Sequence, residues 1–152
     1  MKKIDLAYVA GIIDGEGCIY IEHGKKGKGF QLSVSVGSSD RWLCEFLKFS
    51  FGGCLYDMKS KTLPCWKWEI RTKQAGQFLG DIFPYLRLKK PQAEIALKFQ
   101  KARHQQNWVK KTDEEKAIEE AQYLLIKDLK RRKTGDNSTN KIIESIQETC
   151  GG

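Results

Sequence analysis

Leu6-Ala7-Tyr8-Val9-Ala10-Gly11-Ile12-Ile13-Asp14-Gly15-Glu16-Gly17 is the stretch on which the fold turns. Leu6 to Asp14 reads as a short helix, because small and apolar residues run through two turns without a proline. The Gly15-Glu16-Gly17 triplet then stops it. Ala7, Ala10 and Gly11 are small residues on a helix that is otherwise apolar nearly all round. Ala7 and Gly11, four apart, leave a strip along which a second backbone can come close. Such a strip fits the core of one chain as well as a pair of helices. The sequence holds one such helix, so a pair would need a second copy of the chain. Two-fold pairing would bring two Glu16 carboxylates together, and two acids that close demand cations. Gly15 and Gly17 bare the backbone carbonyls beside Glu16, and carboxylate with carbonyl makes a half-site for Mg²⁺. Metal-assisted phosphodiester cleavage is what such a centre could perform. An ordinary helix-ending turn would be written with the same four letters, Asp-Gly-Glu-Gly.

Outward from this helix, Cys18 to Glu22 and Phe30 to Val36 alternate as two strands of a hairpin around the basic turn His23–Gly29. Asp40 is a suitable N-cap for a helix to about Phe51, ended by Gly52-Gly53. Cys54–Met58 and Cys65–Arg71 make a second hairpin around Lys59, Ser60 and Lys61, and Lys73–Phe83 is helical up to Pro84. Pro91 opens a further helix to about Gln106. Thr112-Asp113-Glu114-Glu115 is a capping box, followed by the stripe Ile118, Ala121, Leu125 and Leu129. Ile142, Ile143 and Ile146 suggest a last helix. The order predicts an α+β domain with a four-stranded antiparallel sheet and its helices on one face. One domain spans 1–152, with a core at about 4–106 and a helical extension at about 107–150.

Period-two alternation divides the sheet into two faces. Ile19, Ile21, Leu32, Val34, Val36, Trp66, Trp68 and Ile70 would meet the helices. Tyr20, Glu22, Gln31, Ser33, Ser35, Lys67, Glu69 and Arg71 would lie opposite. That second set is either a solvated surface or a ribbon whose donors and acceptors read base edges in a DNA major groove. Lys25, Lys26 and Lys28 at the hairpin tip and Lys130, Arg131, Arg132 and Lys133 would then bind phosphates. In the third strand, Leu55 inward with Tyr56 and Met58 toward DNA calls for a bulge.

The net charge of +8 points to a polyanionic partner, nucleic acid before an anionic membrane surface. No apolar run approaches the roughly 20 residues of a membrane span, and no signal-peptide pattern is present. An intracellular setting follows, with bacterial or phage cytoplasm, chloroplast and mitochondrion all compatible. Five widely spaced cysteines and two histidines argue against a disulfide scaffold or a zinc site. A nuclease centre of another kind, built on Asp57 and Glu69-Ile70-Arg71, would have Arg where its Lys belongs.

Leu6 to Gly17 resembles the signature helix of the LAGLIDADG homing endonucleases, most closely over Val9-Ala10-Gly11-Ile12-Ile13-Asp14-Gly15-Glu16-Gly17. Phe30 to Gly53 resembles the family's second strand, helix and closing glycines. Pro84-Tyr85-Leu86-Arg87-Leu88-Lys89-Lys90-Pro91-Gln92-Ala93 resembles its L-x-x-K-x-x-Q region. The similarity spans about the first 105 residues. It implies an αββαββα fold with a saddle-shaped sheet and extra C-terminal helices. Its single motif implies a homodimer that cuts both strands of a long pseudo-palindromic DNA site, with short 3′ overhangs, in intron homing. Mg²⁺ would be the cofactor, with Mn²⁺ substituting and Ca²⁺ supporting binding without cleavage. The resemblance makes Glu16 the metal ligand with the Gly15 carbonyl, and places Lys89 at the reacting phosphate. Ser38 stands near the position of a polar residue, commonly Gln, and Arg41 is a basic support. Ala7, Ala10, Gly11 and Asp14 would lie at the dimer interface. An intron-splicing maturase that grips RNA, or a DNA-binding protein without catalysis, would share the fold.

Overall fold

The computed structural model describes residues 2–24, 29–59, 63–104 and 111–131. Helix α1 (Lys3–Glu16) leads into strands β1 (Gly17–His23) and β2 (Phe30–Ser38), then helix α2 (Arg41–Phe51) and strands β3 (Cys54–Met58) and β4 (Cys65–Arg71). Helix α3 (Thr72–Ile82), a 3₁₀ turn at Phe83–Tyr85, α4 (Lys90–His104) and α5 (Asp113–Arg131) follow. The four strands form one antiparallel sheet in the order β1-β2-β4-β3.

Ile19, Ile21, Leu32, Val34, Val36, Trp68 and Ile70 are buried on one sheet face, against Val9 and Ala10 of α1, Leu47 of α2, Phe78 of α3 and Phe99 of α4. Trp68 anchors this layer. Its ring meets Phe78 edge-on at 5.2 Å, and its indole N–H donates to the Gly52 carbonyl at 2.8 Å. The expected helix stops are where capping chemistry puts them. The Asp40 carboxylate accepts from the Trp42 amide at 2.9 Å, and Gly52 leaves α2 with φ at +78°. Thr112 and Glu115 bond reciprocally, amide to side chain, at 2.9 and 3.2 Å.

Three expectations need correction. Helix α1 extends to Glu16, so Gly15 and Glu16 are helical and only Gly17 turns the chain into β1. A Cβ on Gly17 would sit 2.6 Å from the Ile13 Cα and 2.7 Å from its carbonyl oxygen, so strand and helix backbones touch there. Gly17→Ala is therefore expected to cost about 2 kcal/mol or more of folding stability, read as a lowered urea midpoint. An unchanged midpoint would refute this backbone contact.

The second correction concerns β3, whose pairing with β4 runs without a bulge from Cys54↔Glu69 to Met58↔Cys65. Leu55 opposite Trp68 lies on the core face, and simple alternation turns Tyr56 and Met58 outward. Helix α5 packs against α4 and along β1, the edge strand, and adds Ile126 to the core. Third, α5 is rotated from the expected stripe. Ile118 and Leu125 are exposed, whereas Ile126 is buried and Tyr123 stacks on Phe30 and His23. Glu119 is tolerated inside because Lys111 pairs with it. The last helix expected around Ile142, Ile143 and Ile146 lies outside the described residues.

Candidate active site and nucleic-acid interface

The end of α1 is a place of unfilled carbonyls carrying about half a negative charge. Lys89 answers it. Its ammonium donates to the carbonyl oxygens of Ile13 at 2.8 Å and Asp14 at 2.7 Å. Burial pushes this lysine below its ordinary pKa, partly countered by Asp14 and Glu16, so the charge is held at some cost. Asp14 explains how the side chain is placed. One carboxylate oxygen accepts from the amide of Arg87 at 2.7 Å and the other from the amide of Lys89 at 2.8 Å. The acid thus ties the segment before α4 to the end of α1, and the lysine returns to the same helix turn. Asp14 is thus a tie within one chain. No sequence pattern signalled it, because its partners lie 73 and 75 residues away.

Glu16 is exposed, two residues beyond the second carbonyl that Lys89 holds. Gly15 beside it is exposed as well, with nothing within 4 Å of where a Cβ would stand. Carboxylate and bare peptide fit one half of a hard-cation site. No cluster of three or more His, Cys, Asp or Glu that could hold a metal exists among the described residues of one chain.

The small-residue strip divides between two environments. Ala10 is fully buried against the sheet, so it serves this chain's own core and not an interface. Ala7 and Gly11 are exposed, with Ile4 and Tyr8 exposed beside them on the same side of α1. Ser38 follows Val36, the partner of Gly17, at the Glu16 end of the sheet. Its hydroxyl accepts from the Asp40 amide at 3.0 Å and so braces the turn into α2. Arg41 pairs with Glu45 one turn along α2, at 2.7 Å and in solvent.

On the sheet's outer face the expected readers are only partly accessible. Ser33, Ser35 and Glu69 are buried, because longer neighbours close over them. Glu22 accepts from the Gln31 amide and the Ser33 hydroxyl, both at 2.8 Å. Tyr20, Glu22, Gln31, Lys67 and Arg71 keep partial exposure, and Tyr56 is exposed. Lys130 stands 5.2 Å from the centre of the Tyr20 ring, which brings α5 to the rim of this face, and Arg131 is exposed at the helix end. Lys25, Lys26, Lys28, Arg132 and Lys133 lie outside the described residues. Asp57 pairs with Trp66 and Glu69 with Cys54, so the two acids point to opposite faces and cannot form one centre.

No protein-family model matches the sequence, and no curated protein does. Solved structures do match the fold. The homing endonuclease I-CvuI, in complex with its target in the presence of calcium, aligns at a TM-score of 0.67 and 19% identity, over 95% of this chain and 94% of its own. The archaeal intron-encoded homing endonuclease I-Vdi141I, complexed with DNA, aligns at 0.70 and 13% identity, over 100% of both chains. I-SmaMI, bound to uncleaved DNA with calcium ions, aligns at 0.66 and 21% identity, over 81% of this chain and 45% of its own. The chain therefore has the α+β fold of the LAGLIDADG homing endonucleases, the class that I-GzeII, another match with its DNA target, carries by name. Among the individual proteins, I-CvuI and I-Vdi141I are similar to it over nearly their entire lengths.

Proposed function

We propose that this chain is an intracellular, site-specific DNA endonuclease of the LAGLIDADG homing class, working as a homodimer by Mg²⁺-dependent hydrolysis. One observation carries the reading: α1 presents Ala7 and Gly11 outward and ends in exposed Glu16, with the Lys89 ammonium held on the same turn. Pairing two chains through that strip would set both Glu16 groups under one duplex. Each Glu16 and Gly15 carbonyl would hold a cation, and Lys89 would donate toward an oxygen of the reacting phosphate. Mg²⁺ bound there would supply Lewis-acid stabilisation of charge developing on that phosphate. The two outer sheet faces would lie along the major groove, with α5 cations at the rim on phosphates. Cuts across the minor groove would leave short 3′ overhangs.

The test is a duplex library screened in Mg²⁺ and, in parallel, in Ca²⁺. Discrete double-strand cuts at a pseudo-palindrome in Mg²⁺ alone are expected. Selective retention in both ions without cutting would favour a binding protein of the same fold, a reading that the local use of Ser38 supports. Preference for a folded intron RNA over duplex DNA would favour a maturase. Absence of selective retention would reject the proposal.

Dimerisation has its own test at Gly11. A side chain there meets open space within one chain and replaces glycine in a helix, so the monomer keeps or gains stability. Gly11→Leu would wedge apart two helices packed through the strip. It is expected to sediment as a folded monomer with a wild-type or raised melting temperature, and to lose double-strand cutting. A dimer that survives this change would place the interface elsewhere.

A further inference from the structure

Glu69 is almost closed to solvent on the face proposed to meet DNA, with 3% of its surface exposed. Lys67 donates to one of its oxygens at 2.8 Å and Arg71 to the other at 2.5 Å, while the Tyr20 hydroxyl donates to the first. Burial would raise its pKa, but the bonds from Lys67 and Tyr20 and the two positive charges outweigh that and hold it below the ordinary carboxylate value. Burial and Glu69 together push the Tyr20 phenol up to about 12, so it stays a neutral donor. Glu22 lies 3.9 Å from the Arg71 guanidinium on the other side. The middle of the face is thus two acids and two bases closed on one another, in a chain whose net charge is +8.

A cation turned onto a buried carboxylate cannot also displace counterions from a phosphate without leaving that carboxylate bare, which is costly. Lys67 and Arg71 therefore differ from the α5 cations at the rim, although all are basic residues on one side of the molecule. We infer that Glu69 is a specificity-determining positioning residue: it keeps Lys67 and Arg71 off the DNA backbone, so that phosphate affinity comes from the rim and the centre is reserved for sequence-dependent contacts. The inference rests on the proposed DNA-binding function and assigns Glu69 no contact with a base.

The test measures affinity against salt concentration for a random-sequence duplex and for the duplex retained in the Ca²⁺ screen. Glu69→Gln is expected to bind the random duplex about tenfold more tightly at low salt, with a log–log salt slope steeper by about 1 to 2, since each released cation adds about 0.9. Discrimination between the two duplexes should fall about tenfold. Lys67→Gln covers the case in which Glu69→Gln fails to fold. Removing an already sequestered charge should leave the random-duplex slope unchanged, whereas a phosphate-binding lysine would lower it by about 1. A lowered slope for Lys67→Gln, or an unchanged slope for folded Glu69→Gln, overturns the inference and leaves DNA binding intact. Failure of the wild-type protein to bind either duplex overturns both.

Discussion

Glu16→Gln is expected to cut the selected duplex on the order of 10³-fold more slowly in Mg²⁺, while binding it within a few-fold of wild type in Ca²⁺. The replacement keeps the length of the side chain and removes its charge, which is what a hard cation needs. The loss should be confined to chemistry for three reasons. Glu16 is exposed, so no buried partner is stranded. It stands at the negative end of α1, where removing a carboxylate relieves repulsion and does not harm the helix. It also belongs to α1 and not to a strand, so the outer sheet face keeps its arrangement. Cutting at the wild-type rate would remove Glu16 from the mechanism and with it the proposed centre.

Lys89→Met should slow cutting on the order of 10²-fold, again with near-normal binding in Ca²⁺. Methionine keeps most of the buried stem and loses the ammonium that bonds to the Ile13 and Asp14 carbonyls. The loop itself stays tied, because Asp14 holds it through backbone amides of Arg87 and Lys89 that the substitution leaves in place. The measured defect therefore reports the charge and not a displaced segment. A change in binding with an unchanged single-turnover rate would make Lys89 a support of the helix end and not a participant.

Much of this was legible in the sequence because the signals are short-range. Asp40 capping Trp42, Thr112 bonding to Glu115, and the alternation that turns Trp68 inward and Lys67 outward all involve residues within four positions of each other. The motif helix was legible for the same reason, although its end was misplaced by two residues. Gly15 reads as a breaker, yet helix geometry continues through it until Gly17 meets the Ile13 backbone. The inward face of α5 was misread because apolar residues lie on more than one side of it. Its packing against α4 and β1 and on the rings of His23 and Phe30 selects Tyr123 and Ile126.

The sequence by itself determined the elements, their order, the two sheet faces and the residue types gathered at Glu16. Tertiary structure alone decided what each of those residues is free to do. Asp14 could be assigned to a loop only when that loop, 73 residues on, was folded against it. Ala10 and Gly11, adjacent and alike in sequence, part company because one helix face is covered by the sheet and the other is not. Glu69 became an internal partner and not a surface reader when Tyr20, 49 residues away, closed over it with Lys67 and Arg71. The physical reason is common to all three. Propensity, capping and alternation act between near neighbours along the chain, whereas burial and charge pairing depend on distances that only the packed fold sets.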